Sequence, residues 1–290
     1  MNILNYFLYY CIILPISIVP FRVLYWMSDL LFVILYYAVG YRKKVIMQNI
    51  SGSFPDMPTL EQNKICKEFY HHFCDLVVES LKIFTVSEKQ VQKRMVCLNP
   101  ELVNSYFDKN QSVILAGGHL NNWELFATVI QSHIKHATIG IYKPLNNKFF
   151  DEKMRNSRSK FGLKMIPTYV VKKLLADGIK ECFAMIFAYD QSPSNPLKSY
   201  WTTFLNRDTA WLKGCEDSAR EYDLPVLYGR ILKVKRGYYK YDFTVACASP
   251  KQTSPGEITQ KLSELLEADI LKQPAYWLWS HRRWKHLKSI

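Results

Sequence analysis

The chain has 290 residues, enough for one large α/β domain or two small ones, and it contains no internal repeat or low-complexity segment. It is 49% hydrophobic and 14% aromatic with 19 Tyr, and its net charge of +13 lies wholly within 42–290, since residues 1–41 hold only Arg22 and Asp29. A neutral apolar leader before a basic body points to an anionic membrane surface, a phosphorylated lipid or an acidic carrier protein, and no recognisable nucleic-acid module accompanies the charge.

In chain order, Ile3–Phe21 is uncharged and long enough to cross a bilayer, although Pro15 and Pro20 would kink or end a helix. Val23–Gly40 is a second apolar block, rich in Tyr, Trp and Phe, and is read as a buried helix or the return arm of a hairpin. Arg42-Lys43-Lys44 follows at once, which by the positive-inside tendency puts the body on the cytoplasmic side. A long amphipathic helix is expected over 59–84. Strands are then expected at 112–117, 138–142, 182–189, 226–234 and 238–247. Helices are expected near 122–135, 147–160, 169–178, 210–221 and 255–271. This alternation predicts an α/β sheet flanked by helices on both faces. The hairpin signal at Lys235-Arg236-Gly237 makes the sheet mixed. The seven cysteines are odd in number and contain no CxxC, which favours free thiols in a reducing compartment. His71, His72, Cys74 and Asp75 would spread over more than one helix face, so no metal site is expected.

The chemistry concentrates in Gly117-Gly118-His119-Leu120-Asn121-Asn122-Trp123-Glu124. His119 would sit in a turn after a buried strand, with Glu124 in the first turn of the following helix, favoured there by the helix dipole. From that position Glu124 could bend back to hold the imidazole, an arrangement suited to drawing a proton from a hydroxyl. Three further stretches stand out. Tyr142-Lys143-Pro144 leads into a helix with Arg155 and Arg158, three apart on one face, able to grip a phosphate or to form a solvated basic surface. Asp190, at the carboxyl end of an apolar run, could anchor a loop near His119 or cap a turn. Trp277-Leu278-Trp279-Ser280-His281-Arg282-Arg283-Trp284-Lys285 could wrap an acyl chain, or dock on the body as an amphipathic helix.

Taken in order, these blocks resemble the late acyltransferases of lipid A biosynthesis, a lysophospholipid-acyltransferase-like group. The resemblance spans nearly the whole chain: Arg42…Asn49-Ile50…Ser53-Phe54-Pro55, Gly118-His119 through Trp123-Glu124, Tyr142-Lys143-Pro144 with Arg158, Asp190-Gln191 with Thr203–Arg207, and the tryptophan-rich C-terminus. It implies a glycerol-3-phosphate acyltransferase-like fold, with 1–41 as a membrane anchor or interfacial segment and 42–290 as the catalytic domain. It further implies transfer of a fatty acyl chain from an acyl carrier protein thioester to a hydroxyl of a lipid A precursor at the cytoplasmic face of the bacterial inner membrane. In that reading His119 is the general base paired with Glu124, and Arg158, Arg155, Asn122, Asp190 and Lys143 bind substrate. No metal or cofactor is required. The same chemistry on another membrane lipid, hydrolysis by water, or a catalytically inactive carrier-binding protein are the alternatives. Two departures from the family pattern bear on pocket shape. Asn121 stands where a Gly is usual, and Phe204-Leu205-Asn206 replaces Phe-Phe-Gly, a swap that Asn tolerates where φ is positive.

Overall fold

The computed structural model describes residues 3–288. Among the described residues nine strands form: β1 Met95–Cys97, β2 Val113–Gly117, β3 Ala137–Tyr142, β4 Lys164–Pro167, β5 Phe183–Ala188, β6 Tyr200–Phe204, β7 Arg207–Trp211, β8 Val226–Lys235 and β9 Tyr238–Cys247. Seven of them make one mixed sheet in the order β1-β9-β8-β2-β5-β3-β4, while β6 and β7 pair separately as an antiparallel ribbon. β2, β3, β4, β5 and β8 run parallel, and β9 folds back antiparallel on β8. Successive side chains of a strand point to opposite faces. Along β2, Val113 and Leu115 accordingly enter one apolar core and Ile114 and Ala116 the other. A strand buried on both sides needs no polar alternation, which is why 113–117 reads as a continuous apolar run.

The expected strands and helices appear within a few residues of their predicted bounds. The structure adds β1, β4, β6 and β7, and helices Lys43–Ser53, Glu88–Arg94 and Pro100–Phe107. β1 and β4 are edge strands of three and four residues, too short to show a period. The helix expected over 210–221 begins only at Gly214, because Arg207–Trp211 is held in the ribbon by β6.

The N-terminal segment forms two apolar helices, Ile3–Ile18 and Phe21–Val39, broken at Pro20. Phe21–Val39 is long and apolar enough to cross a membrane by length and composition. One of its faces lies along helix Thr59–Lys82: Tyr25 hydrogen-bonds Glu79, Ser28 hydrogen-bonds Asp75, and Phe32 stacks on His71. The Lys82 ammonium closes the elbow between the two apolar helices by donating to the carbonyls of Ser17, Ile18 and Val19. Those carbonyls end a helix, where intrahelical partners run out, and that of Ser17 also accepts the Thr85 hydroxyl.

The C-terminus differs most from expectation. After a short turn at Pro274–Tyr276 the chain is irregular rather than an amphipathic helix, and it buries Trp277, Trp279, Ser280 and Arg283 while Arg282 and Lys285 stay exposed. Trp277 packs edge-on to Trp279 and to Phe204. Arg283 stacks on Trp211 and donates to the carbonyl of Ala210. Buried irregular backbone must find hydrogen-bond partners, and the family's N-terminal block supplies them. Asn49 donates to the carbonyls of Trp279 and His281, and Arg42 to that of Ser280. Trp279 is fully buried. Trp279→Ala should lower the unfolding free energy by about 3–5 kcal/mol, measurable by urea denaturation of the detergent-solubilised protein.

Candidate active site

Parallel pairing of β2 with β5 puts Gly117 opposite Ala188. Two residues beyond each strand end lie His119 and Asp190, so the register itself brings imidazole and carboxylate side by side. The contact is two-pronged. Asp190 Oδ1 lies 2.5 Å from His119 Nδ1, and Oδ2 accepts the His119 backbone N–H at 2.8 Å. The Trp277 indole N–H also donates to Oδ2, at 2.8 Å. Gly118 is required for this closure, since a Cβ there would lie 2.7 Å from Leu266 Cδ1 and 3.2 Å from Asp190 Oδ2. Burial alone would raise the Asp190 pKa, but the His119 charge and these hydrogen bonds prevail and hold it down at about 2. Burial opposes the His119 imidazolium, yet Asp190, with a smaller contribution from Glu124, raises its pKa above the ordinary histidine value. The Asp190 depression stabilises the fold above the ordinary aspartate range and is lost as pH falls towards about 2.

With Nδ1 engaged by a carboxylate, the neutral ring carries its proton there and leaves Nε2 as the acceptor. The Gln191 amide nitrogen lies 3.3 Å from Nε2, and Trp123 stands edge-on to the ring. His281, whose pKa burial lowers to about 4, accepts the Ser192 N–H and steadies the 190–192 loop.

Glu124 is placed differently from expectation. It does not hold the imidazole by a hydrogen bond; Asp190 does. Arg158, at the end of helix Lys148–Ser159, takes Glu124 in a fork, with Nε to Oε2 at 2.8 Å and Nη2 to Oε1 at 2.5 Å. A planar guanidinium matches both carboxylate oxygens at once, and the imidazole has only one nitrogen to offer. Glu124 therefore reaches His119 through its charge.

His119, Glu124, Arg158 and Lys143 all line a cavity of about 1280 Å³. The rest of its lining mixes apolar side chains, among them Leu163, Met165, Val171, Leu175, Phe187 and Phe243, with polar ones that include Lys172, Asp217, Arg220 and Glu221. Three expected substrate ligands are not on this wall: Asp190 holds the ring and N–H of His119 instead, and Arg155 and Asn122 lie elsewhere. Arg155 is exposed on its helix beside Tyr142. Asn122 is buried behind the site, where its Oδ1 caps helix Trp123–Val129 at Leu125 N–H and its amide donates to Glu79. None of the C-terminal tryptophans lines the cavity either; Trp277 serves the site by holding Asp190. Its signal in the sequence was its place in the C-terminal block, and Gln191 lay next to Asp190.

The fold and site define a class: an α/β protein with a mixed sheet and a carboxylate-held histidine on the wall of a cavity at the strand ends. The family model of bacterial lipid A biosynthesis acyltransferases matches residues 1–286, and the chain belongs to that family. It is 23% identical over 257 residues to a lipid A biosynthesis acyltransferase of Haemophilus influenzae, covering 85% of this chain and 79% of that one. It is 21% identical over 245 residues to a lipid A biosynthesis palmitoleoyltransferase of Escherichia coli, covering 84% and 79%. The same figures hold for a lipid A biosynthesis acyltransferase of Shigella flexneri.

Two outcomes follow from this geometry. A histidine acting as base works deprotonated, so kcat/KM should rise with pH along a limb set by His119. Asp190→Asn removes the charge that raises this pKa. The limb should move to lower pH while the plateau falls by about 10²–10⁴-fold, read from a pH–rate profile. Gly118→Ala, which forces Leu266 or Asp190 to move, should reduce kcat by about 10²-fold with substrate KM little changed.

Proposed function

We propose that the protein transfers a fatty acyl chain from an acyl carrier protein thioester to a hydroxyl of a lipid A precursor, with His119 as general base. The observation that carries this reading is the placement of His119: its Nδ1 is fixed by Asp190, and the ring lines a cavity walled by both apolar and polar side chains. The acceptor hydroxyl gives its proton to Nε2 as its oxygen attacks the thioester carbonyl carbon. The oxyanion then collapses, the carbon–sulfur bond breaks, and the thiolate recovers the proton from the imidazolium. Asp190 fixes the tautomer and, with Glu124, stabilises the positive ring between the two proton transfers. Lys143 and Arg158 bring positive charge to the cavity wall for a phosphate of the acceptor, and the apolar walls take the acyl chain.

The N-terminal 1–41 acts as the membrane-attaching segment and 42–290 as the catalytic domain. Helix Phe21–Val39 turns Trp26, Leu30, Val33 and Tyr37 outward while its other face lies on the body. A helix lying at the interface with such a face binds through buried apolar area. The +13 charge outside residues 1–41 suits both an anionic leaflet and an acidic carrier protein, and it supports a site at the cytoplasmic face of the inner membrane.

The test is a thiol-release assay with purified acyl carrier protein thioester and a lipid A precursor, with products weighed by mass spectrometry. Wild type should release thiol and add one acyl chain to the lipid. His119→Ala should keep its circular dichroism spectrum and lose about 10²–10⁴-fold in rate. A folded His119→Ala protein with full activity overturns the mechanism. Free fatty acid as the product would make the enzyme a hydrolase.

A further inference from the structure

The Glu124–Arg158 pair joins two helices, and each helix is tied to the apolar N-terminal segment by its own set of contacts. On the Glu124 side, Asn122 caps helix Trp123–Val129, and its amide donates to Glu79 Oε2 at 2.5 Å. Glu79 is fully buried; its Oε1 accepts the Tyr25 hydroxyl at 2.8 Å and its Oε2 also accepts the Tyr239 hydroxyl at 2.9 Å. Tyr25 lies in apolar helix Phe21–Val39. The chain of contacts is thus Tyr25, Glu79, Asn122, and the helix start that carries Glu124.

On the Arg158 side, helix Lys148–Ser159 has Ser157 as its single buried residue among those described, too little to fix it by burial. Its other end is fixed to apolar helix Ile3–Ile18. The Phe149 ring packs at 4.8 Å from Tyr6 and 5.7 Å from Tyr9, and the Lys153 ammonium lies over the Tyr9 ring at 5.0 Å. Asn147, whose side chain caps the helix at the N–H groups of Phe149 and Phe150, also donates to Asn5 Oδ1 at 3.2 Å.

We infer that the N-terminal helical pair is part of the active-site framework. It positions Glu124 through Tyr25 and Glu79, and Arg158 through Tyr9 and Phe149. These four are positioning residues: they touch no reacting atom and act by holding the ion pair on the cavity wall. The inference rests on the acyl-transfer reading for its kinetic consequence, and on the contacts alone for its structural one.

The experiment uses the full chain in detergent micelles. Phe149→Ala should raise amide hydrogen exchange across 148–159 by about tenfold, with the exchange of β2 and β5 unchanged. It should lower kcat by about tenfold and leave KM for the carrier thioester within about twofold. Phe149→Tyr should restore both. Combined with Arg158→Ala, Phe149→Ala should add no further loss, because both act through one interaction. Tyr25→Phe should behave likewise against Glu124→Gln. Unchanged exchange across 148–159 in Phe149→Ala, or losses that multiply in the double variants, overturns the inference. His119→Ala in the same assay bears only on the acyl-transfer reading. Full activity there defeats that reading, while the exchange result still decides the framework.

Discussion

A carboxylate among packed strands is costly to ionise unless donors meet its oxygens, and Asp190 meets three of them. They are the His119 N–H, the His119 ring and the Trp277 indole. Each donor accounts for a distant stretch of chain. Gly118 lets the 118–122 turn close on the carboxylate. The turn in turn bonds to the C-terminal loop, through a bridge from Leu120 to Trp277 and a bond from the Asn121 N–H to the Tyr276 carbonyl. Arg42 and Asn49 hold that loop from the N-terminal side. Blocks scattered over more than two hundred residues thus converge on the orientation of one imidazole.

Much of this was legible in the sequence, and the parts that were not share a cause. Uncharged runs such as 113–117 and 183–188 announce buried strands, and a histidine directly after one of them announces a strand-end site. Which strand lies beside which is a matter of sheet order, and no local pattern carries it. The partner of His119 therefore looked like the nearby Glu124, five residues on, when it is Asp190 on the neighbouring strand. The Arg158 fork that draws Glu124 away comes from a third element, equally invisible to local spacing. The C-terminal block misled through its composition: interleaved aromatics and cations suggest an amphipathic helix, yet the rings fill the core and the Arg283 guanidinium stacks on Trp211.

The two departures from the family pattern fall on backbone that explains them. Asn121 has φ of 58° and Asn206 has φ of 63°, the left-handed region where glycine is most at ease and Asn is the best tolerated substitute. Asn121 adds something glycine lacks: its amide donates to the Ile231 carbonyl at 2.7 Å, tying the catalytic turn to β8. Asn206 likewise donates to the Ser53 carbonyl at 3.0 Å, joining the ribbon tip to the N-terminal block. Leu205, also at positive φ, has no such compensation in its side chain; its N–H bonds to Glu267. The changes alter what the turns lean on: Asn121 acts at β8, where Ile231 shares the cavity wall, and Asn206 acts at the N-terminal block.

The same geometry bears on whether the acyl group rests on the protein during transfer. An acyl-enzyme needs a side-chain nucleophile within hydrogen-bond reach of the base. The group beside His119 Nε2 is the Gln191 amide, which is no nucleophile. Cys215 does line the cavity, but burial and the nearby Glu216 push its thiol well above the ordinary cysteine value, and thiolate is the reactive form. A base that is oriented, raised in pKa and open to a cavity is suited to a hydroxyl brought by the acceptor. Within the proposed acyl transfer, direct attack of that hydroxyl on the thioester, with no acyl-enzyme, is the course this arrangement favours.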